Sequence, residues 1–337
     1  MALAFPGGDG YADTAMKILL TGGAGFIGSC LLWKLNQLGH TDIIVTDHLG
    51  TSEKWQNLVG KRFEDYLDRA QLLEALQRPE FSGAVETIIH LGACSSTTEL
   101  DASYLMENNY RYTKALAEWA LAHHKRFLYA SSGATYGGGE HGYSDQDEAT
   151  PRYRPLNMYG YSKHLFDLWV LEHQLQRTFV GLKFFNVYGP NEYHKGDMRS
   201  VVHKGYQQIK ASGKMKLFKS HHPDYKDGEQ RRDFVYVKDA LDVMAFFLDH
   251  PDKGGIYNLG TGTAQTWNDL ARGLFSALGA KPQIEYAEMP EVLRGKYQYF
   301  TQADTAKLRA AGYTKPFHDL QAGVADYVKI LETTTYL

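Results

Sequence analysis

The chain has 337 residues, a formal net charge of −3 and a hydrophobic content of 43%, enough to bury one large core with an annex or two domains. This weakly acidic balance lacks the basic field that nucleic-acid binding requires. No uninterrupted apolar stretch approaches the ~18 residues of a membrane-spanning helix. Neither nucleic acid nor a membrane is therefore an expected partner.

The cysteines and the N-terminal residues indicate the compartment. The chain contains two cysteines, Cys30 and Cys94, which favours reduced, buried thiols in a cytoplasmic protein over a disulfide. Residues 1–15 lack a Lys/Arg-rich start and an apolar core, so a signal peptide is not expected. We interpret residues 1–15 as a flexible tail, with the fold beginning near Met16.

A glycine-rich turn follows the first predicted strand, residues 16–20. Residues 21–28 read TGGAGFIG and lead into a predicted helix over residues 26–38. A helix N-terminus with free backbone N–H groups binds a pyrophosphate, and glycine lets the phosphates approach the backbone. Asp47 ends the second predicted strand, where such sites carry an acidic residue. The pattern predicts a dinucleotide site at the N-terminal edge of the fold.

Strands and helices then alternate along the chain. Further strands are predicted over residues 63–67, 85–91, 126–132 and 180–186, and helices over residues 69–77, 104–123 and 159–174. This alternation predicts an α/β fold with a Rossmann-type, doubly wound parallel sheet, whose ligands lie beyond the carboxyl ends of the strands.

The pattern becomes less regular after Gly189, although apolar segments return at residues 233–247 and 256–259 and a helix is predicted over residues 267–278. We assign residues 16–186 and 232–262 to the Rossmann domain. Residues 187–231 and 263–330 are expected to form a smaller mixed α/β lobe that binds substrate.

A tyrosine and a lysine indicate the chemistry. Tyr159 and Lys163 are four residues apart on a predicted helix and share one face, whereas Tyr161 does not. A phenol with a pKa of about 10 is a poor base at neutral pH, and a nearby ammonium favours the phenolate. Ser132, with Thr135 as second choice, follows the fifth strand and can hydrogen-bond a substrate oxygen. Taken singly, these residues would also fit a core tyrosine, a surface lysine and hydroxyls that cap a turn.

Three motifs together resemble the extended short-chain dehydrogenase/reductase family. They are the Gly22-xx-Gly25-xx-Gly28 turn, Ser132 with Tyr159-xxx-Lys163, and the sequence RDFVYVKD at residues 232–239. The resemblance extends over about residues 16–330. Residues 92–99, 108–110, 188–190, 194–196 and 297–304 are similar to the sugar-nucleotide epimerases that act on an ADP-heptose in lipopolysaccharide-core synthesis.

The resemblance implies an activity. The expected enzyme interconverts the D-glycero and L-glycero forms of ADP-manno-heptose at C6″ by transient oxidation to a ketone and return of the hydride. The implied cofactor is NADP, and the implied assembly is a homo-oligomer, with a pentamer as one form. Lys195, in the loop after the sixth strand, matches the second catalytic group of the family, although a loop lysine is usually solvated.

The same resemblance assigns binding roles residue by residue. The implied cofactor-binding residues are Gly22, Gly25, Phe26, Ile27, Gly28, Asp47, His48, Lys54, Arg69, Leu91, Gly92, Ala93, Cys94, Ser95, Asn108, Lys163 and Val187. The implied substrate-binding residues are Asn186, Asp197, Lys204, Phe218, Lys219, Ser220, His221, Arg232 and Tyr297. No metal site is expected, because His221 and His222 are not followed by the spacing of metal ligands.

Several alternatives stay open at this point. Asp47 would favour the free ribose of NAD, whereas Lys54 and Arg69 would offset its repulsion of the NADP phosphate. Another sugar-nucleotide epimerase, such as one acting at C4 of a UDP-hexose, would share most of these motifs. A non-catalytic NADP-binding scaffold is less favoured because the Tyr159 and Lys163 pair is intact.

Overall fold

The computed structural model describes residues 17–295, 297–333 and 336–337. Residues 1–15, the predicted flexible tail, lie outside the described residues. The strands are β1 (Lys17–Thr21), β2 (Ile43–Asp47), β3 (Asp65–Asp68), β4 (Val85–His90), β5 (Arg126–Ser132), β6 (Val180–Phe184), β7 (Asn186–Tyr188), β8 (Met215–Phe218), β9 (Arg231–Tyr236), β10 (Gly255–Leu259), β11 (Ala264–Thr266) and β12 (Ile284–Ala287).

Helices cover and connect these strands. They are α1 (Phe26–Gln37), α2 (Arg69–Ala75), α3 (Pro79–Ala84), α4 (Ala102–Leu105), α5 (Tyr112–Ala122), α6 (Met158–Glu172), α7 (Val201–Ser212), α8 (Val237–Asp249), α9 (Trp267–Ala277), α10 (Glu291–Arg294), α11 (Ala306–Ala310) and α12 (Leu320–Thr333). A π-helical turn, Met106–Arg111, joins α4 to α5.

The core is a seven-stranded parallel sheet in the order β10-β6-β5-β4-β1-β2-β3. Successive side chains of its central strands are buried on opposite faces, as the pleat requires. Leu19 aligns with Ile44 and Ile88 in the cluster on one face, whereas Leu20 aligns with Val45 in the cluster on the other. Apolar residues at consecutive positions are explained by this two-sided burial. The predicted α/β fold with a doubly wound parallel sheet is confirmed.

The later part of the chain builds two smaller sheets. Strand β9 pairs in parallel with β7 and antiparallel with β11, and β8 pairs in parallel with β12. Strand β10 instead joins the seven-stranded sheet beside β6. Residues 232–262, assigned from the sequence to the Rossmann domain, thus supply strands to two sheets. The division into a Rossmann domain and a substrate lobe stays a prediction.

The helix predicted over residues 104–123 is interrupted. The Asn109 side chain accepts a hydrogen bond from the Cys94 backbone N–H and donates one to the Cys94 carbonyl, each at 2.9 Å. The Asn109 carbonyl accepts a hydrogen bond from Thr113 Oγ1 at 2.6 Å. These contacts accompany the wider π-helical turn, a feature often found at functional sites. The hydrogen bonds of Asn109 therefore connect the π-helical turn before α5 to the loop after β4.

The two thiols are free but differ in burial. Cys30 is fully buried on α1, and this burial raises the pKa of its thiol. Cys94 is partly exposed, so the expectation of two buried thiols is wrong for this residue. Within the described ranges, no helix has the length and apolar content needed to span a bilayer.

Candidate active site

A continuous crevice follows the carboxyl ends of β1, β2, β4 and β5, where the sequence predicted a ligand. It consists of three adjoining cavities, which we call outer, middle and inner. The outer cavity is lined by Thr21, Gly22, Thr46, Asp47, His48, Lys54, Arg69, Gly92, Ala93, Cys94, Tyr104, Asn108 and Tyr112. The middle cavity is lined by Gly22, Gly25, Phe26, Ile27, Gly28, Asp47, Lys54, Leu91, Gly92, Ala93, Cys94, Ser95, Ser96, Ala130, Phe184, His194, Lys195 and Met198. The inner cavity is lined by Phe26, Ile27, Ser95, Thr97, Ser132, Gly133, Ala134, Tyr159, Phe184, Phe185, Asn186, Val187, Lys195, Met198, Gln298 and Thr301.

The glycine turn between the outer and middle cavities has no room for side chains. Gly22 has a φ of +69°, and a Cβ there would lie 2.6 Å from the Gly92 nitrogen. A Cβ on Gly28 would lie 2.1 Å from the Gly22 carbonyl oxygen. Helix α1 begins after Gly25 with no side chain capping its first N–H groups. The open helix N-terminus therefore faces a groove suited to a pyrophosphate.

Asp47 is held firmly in the outer cavity. Its carboxylate accepts hydrogen bonds from the Ala24 N–H at 2.9 Å, from the His48 N–H at 2.7 Å and from Lys54 Nζ at 2.5 Å. Beside it, the buried Thr46 hydroxyl has no hydrogen-bond partner in the described structure. The cavity thus offers a partly neutralised carboxylate and a free hydroxyl to a polar ligand.

A second cation lies across the same cavity. The Arg69 guanidinium donates a hydrogen bond to Asn108 Oδ1 and lies over the Tyr112 ring, 5.7 Å from its centroid. With Lys54, it gives the cavity two cationic side chains against the single lining carboxylate of Asp47. The outer cavity is therefore suited to an anionic group.

The inner cavity contains Tyr159 and Ser132. Asn157 caps the N-terminus of helix α6: its Oδ1 accepts a hydrogen bond from the Gly160 N–H at 2.8 Å and so fixes the turn that carries Tyr159. Burial raises the pKa of Tyr159, and a hydrogen bond with the Ser132 side chain opposes this rise. Ser132 Oγ also accepts a hydrogen bond from the Ala134 N–H at 3.1 Å. The predicted tyrosine and serine are therefore brought together.

Lys163 follows Tyr159 by one turn of α6 but lines none of the three cavities. Its buried Nζ donates a hydrogen bond to the Ala130 carbonyl at 2.8 Å. Desolvation lowers the pKa of Lys163 to about 8, and Asp167 opposes this shift. Burial of the phenol dominates the pKa of Tyr159 in the protein by itself, and the combined effect of the Lys163 ammonium and a bound nicotinamide stays a prediction.

Lys195 lines both the middle and the inner cavity. Its Nζ lies over the Phe26 ring, 5.6 Å from the centroid. Desolvation lowers the pKa of Lys195, and the buried Glu192 opposes the shift. The Asn57 side chain holds this loop by donating to the Asn191 carbonyl at 3.1 Å and by contacting His194 Nδ1 at 3.2 Å. The loop lysine is thus directed into the crevice and is not a solvated surface group.

Arg232 is a buried cation that contacts aromatic rings. It is 5% exposed, and within the described residues it forms no salt bridge. Its guanidinium lies 4.9 Å from the centroid of Tyr297 and 5.7 Å from that of Trp267, and it donates to the Arg231 carbonyl at 2.8 Å. Desolvation lowers the pKa of Arg232, and the nearby tyrosines oppose this shift. Such a group is suited to an incoming anion.

The predicted cofactor and substrate residues differ in whether they line one of the three cavities. Every predicted cofactor residue except Lys163 and Val187 lines the outer or the middle cavity. Asn186 and Val187 line the inner cavity. The substrate residues that line none of the three cavities are Asp197, Lys204, Phe218, Lys219, Ser220, His221, Arg232 and Tyr297. Their binding roles stay predictions.

Sequence reasoning missed several cavity residues. Thr97, Met198, Gln298 and Thr301 line the inner cavity, and Tyr112 lines the outer one. Thr97, Gln298 and Thr301 lie inside the stretches that resemble sugar-nucleotide epimerases. No local spacing distinguishes them from their neighbours, because they reach the cavity only through tertiary folding.

The parallel sheet, the glycine groove and the Tyr159–Lys163 arrangement define a dinucleotide-binding α/β protein of the epimerase and dehydratase type. The NAD dependent epimerase/dehydratase family matches residues 18–260, and the chain belongs to that family.

Two curated relatives with the same enzyme name are similar to this chain over most of its length. The ADP-L-glycero-D-manno-heptose-6-epimerase of Nitratidesulfovibrio vulgaris is 54% identical over 311 residues, covering 92% of this chain and 96% of the relative. The protein of the same name from Fusobacterium nucleatum is 49% identical over 321 residues, covering 93% and 97%. The resemblance to the sugar-nucleotide epimerases is confirmed.

Two solved epimerase structures have a fold similar to that of this chain. The Helicobacter pylori ADP-L-glycero-D-manno-heptose-6-epimerase superposes with a TM-score of 0.78 at 28% identity, covering 94% of this chain and 96% of that one. The Thermus thermophilus UDP-glucose 4-epimerase, solved in complex with NAD, has a TM-score of 0.76 at 26% identity, covering 95% and 100%.

Proposed function

We propose that the chain interconverts ADP-D-glycero-β-D-manno-heptose and ADP-L-glycero-β-D-manno-heptose at C6″. The observation that carries the proposal is the inner cavity, where Ser132, Tyr159 and Lys195 line one space. Inverting a hydroxyl-bearing carbon through a ketone requires proton transfer on two faces of that carbon, and Tyr159 and Lys195 come from different elements around the cavity. The names of the curated relatives, at 54% and 49% identity, support the ADP-heptose substrate.

The side chains have separate roles in this proposal. Tyr159 exchanges a proton with the C6″ oxygen, and the Ser132 hydroxyl hydrogen-bonds the same oxygen. Lys195 exchanges a proton with the C6″ oxygen when the substrate turns the opposite face of C6″ toward the reacting groups. A bound nicotinamide dinucleotide supplies hydride acceptance and return. Lys163, on the same helix as Tyr159, is assigned a supporting role as a positive charge when its Nζ is protonated.

The cofactor groove fits a dinucleotide, and we propose NADP. A Cβ on Gly22 or Gly28 would clash with neighbouring backbone atoms, and among the described residues the buried Thr46 hydroxyl has no hydrogen-bond partner. Lys54 neutralises Asp47, and Arg69 adds a second cation near it. This arrangement offsets the repulsion that Asp47 alone would exert on a 2′-phosphate. NAD is the alternative, since the Thermus thermophilus neighbour was solved with NAD.

Cofactor identity can be measured directly. Denaturing the purified protein should release NADP, identified by mass spectrometry. The variant Lys54→Met should bind NADP at least tenfold more weakly while its affinity for NAD changes little, because a phosphate loses a partner and the ribose does not. Release of NAD alone would contradict the NADP assignment and leave the epimerase proposal standing.

Arg232 supports a nucleoside diphosphate as the part of the substrate that is bound but does not react. A guanidinium that is 5% exposed and lacks a carboxylate partner in the described structure is best satisfied by phosphate oxygens. We assign the substrate pyrophosphate to this group. The intact Tyr159 and Lys163 pair argues against a non-catalytic scaffold.

Assembly and location are further parts of the proposal. We place the protein in the cytoplasm, where nucleotide sugars are made, and expect a homo-oligomer with a pentamer as the form that the resemblance implies. Light scattering coupled to size exclusion would measure the assembly independently of activity.

The substrate assignment has a simple assay. The purified protein is incubated with ADP-D-glycero-β-D-manno-heptose, and the C6″ configuration is followed by NMR, with UDP-glucose in a parallel sample. The expected result is a mixture of the two C6″ epimers and no change of UDP-glucose. Inversion of UDP-glucose at C4 with an untouched ADP-heptose would overturn the proposal in favour of a UDP-hexose 4-epimerase.

A further inference from the structure

Gln298 lines the inner cavity beside Tyr159 and Lys195, although it comes from a distant part of the chain. It directly follows Tyr297, whose ring lies against the Arg232 guanidinium. It lines neither the outer nor the middle cavity, where the glycine turn lies. Gln298 is therefore placed at the catalytic end of the crevice and away from the cofactor groove.

The orientation of the Gln298 amide is fixed by one hydrogen bond. Its Nε2 donates to the Gly137 carbonyl at 2.6 Å. Because a carbonyl can only accept, the amide nitrogen must face Gly137 and Oε1 must face the other way. In the described structure Gln298 makes no other side-chain hydrogen bond. Its Oε1 therefore accepts no hydrogen bond from the part of the chain that the structure describes.

The anchor of this amide is rigid. Gly137 has a φ of +66°, and a Cβ there would lie 1.9 Å from the Arg154 carbonyl oxygen, so the backbone packs closely at this point. Gly137 also follows the short helical turn Gly133–Tyr136, which Ser132 caps. The Gln298 amide is thus held against the turn that carries Ser132.

The segment around Gln298 is fixed as well. The Arg231 N–H donates to the Tyr299 carbonyl at 2.9 Å, and the Thr301 N–H donates to the Arg231 carbonyl at 3.2 Å. Trp267 Nε1 donates to the Tyr297 hydroxyl at 2.9 Å. The backbone after Gln298 is therefore hydrogen-bonded to β9, and Tyr297 before it is held through its side chain.

We propose that Gln298 is a specificity-determining residue whose Oε1 accepts a hydrogen bond from a hydroxyl of the substrate's sugar ring. The inference rests on the proposed function, since it needs a sugar in the inner cavity. A fixed, unpaired acceptor selects a hydroxyl strongly, because an analogue without that hydroxyl leaves the acceptor unpaired. Gln298 thereby holds the sugar ring relative to Tyr159 and Lys195.

The test combines variants with substrate analogues. ADP-D-glycero-β-D-manno-heptose and its 2″-, 3″- and 4″-deoxy analogues are assayed with the wild-type protein, with Gln298→Met and with Gln298→Asn, which cannot span the same distance. The matched control is Gln302→Met, because the exposed Gln302 also donates to a glycine carbonyl, that of Gly262 at 2.7 Å, but lines none of the three cavities.

The expected result is a coupling between one hydroxyl and Gln298. The wild-type protein should lose about tenfold in kcat/KM with one deoxy analogue. Gln298→Met and Gln298→Asn should lose about as much with the natural substrate and nothing further with that analogue. Gln302→Met should behave as wild type.

Two results would overturn the inference. Equal losses by the Gln298 variants with all four sugars would mean that the residue only supports the turn at Gly137. If the wild-type protein has the same kcat/KM with every deoxy analogue as with the natural substrate, then no ring hydroxyl contributes to recognition, whatever the variants do. A wild-type protein inactive on all four compounds would instead contradict the proposed function itself.

Discussion

Tyr159 and Lys195 lie in surroundings that disfavour their charged forms. Burial raises the pKa of the Tyr159 phenol, and desolvation lowers the pKa of the Lys195 ammonium. The two shifts favour a neutral phenol and a neutral amine in the same cavity. Both groups therefore lie in surroundings that oppose a permanent charge, which suits the proton exchange with substrate proposed for them.

Replacing the phenol tests the first of these groups. Tyr159→Phe should lower kcat by about 10²- to 10⁴-fold, because a positioned proton-transfer group contributes on that order. The cofactor should stay bound, since the glycine groove is unchanged. Tyr161→Phe is the matched control, because Tyr161 lies on the same helix and is 45% exposed. A Tyr159→Phe enzyme with near wild-type kcat would contradict the assignment.

Replacing the loop lysine tests the second group. Lys195→Met should reduce kcat by at least 10²-fold while far-UV circular dichroism and cofactor content stay at wild-type values. Lys210→Met removes a lysine that is 52% exposed on α7 and should have full activity. Equal rates for Lys195→Met and wild type would return Lys195 to the role of an ordinary loop residue.

At the scale of elements, α6 and the neighbouring strands β5 and β6 share a buried polar network. Lys183 on β6 and Asp167 on α6 are fully buried and lie 2.5 Å apart. Asp167 also accepts hydrogen bonds from Ser131 Oγ at 2.7 Å and Tyr129 OH at 3.0 Å, and Lys183 donates to Thr135 Oγ1 at 3.0 Å. This network joins the catalytic helix to the strand end that carries Ser132.

Breaking that network should destabilise the fold strongly. Lys183→Met leaves the Asp167 carboxylate buried without its cation, which should lower the free energy of unfolding by about 3–5 kcal/mol. Adding Asp167→Asn should recover part of the loss, because the unpaired charge is removed. Lys210→Met, which breaks an exposed pair with Glu332, should change it by less than about 1 kcal/mol. Urea denaturation measures all three. Equal losses for Lys183→Met and Lys210→Met would contradict the importance of the buried pair.

The elements that sequence patterns predicted are those with strong local signals. Strands β1, β2, β4 and β5 are apolar runs buried on both faces, and α6 has the spacing that joins Tyr159 to Lys163. Strands β8, β11 and β12 have three or four residues and are partly exposed, so their pairing depends on distant segments. The glycine turn was predictable for the same reason as α6, whereas Gln298 reaches the inner cavity only because the chain folds back on Gly137.

Across the whole molecule, buried and half-buried histidines link stability to pH. Desolvation lowers the pKa of His90 to about 3 and the pKa values of His164, His194 and His203 to about 4. The unfolded chain protonates these residues near pH 6.5, so below that pH it binds more protons than the folded protein. Burial of Asp145, which raises its pKa to about 6, acts in the opposite sense between pH 4 and 6.

A single variant isolates this effect. His90 contacts Thr21 Oγ1 at 2.6 Å and Thr113 Oγ1 at 2.8 Å between β1, β4 and α5. Its stabilising contribution is complete above pH 6.5 and should be lost as pH falls toward 3. The stability difference between wild type and His90→Gln should therefore shrink by about 1.4 kcal/mol per pH unit between pH 6 and 4.

Urea denaturation at pH 7, 6, 5 and 4 measures that difference. The variant His141→Gln is the control, because His141 is exposed, and its stability should follow wild type at every pH. A difference between wild type and His90→Gln that stays constant with pH would mean that His90 titrates equally in the folded and unfolded states.

The whole enzyme is proposed to oxidise and reduce one carbon without net change of redox state. This can be followed with ADP-D-glycero-β-D-manno-heptose that carries deuterium at C6″, incubated with the wild-type protein in ordinary water and analysed by NMR and mass spectrometry. We predict that the L-glycero product retains the deuterium at C6″, because the hydride removed from that carbon is returned to it. Loss of the label to solvent during epimerisation, or no epimerisation at C6″, would contradict the proposed mechanism.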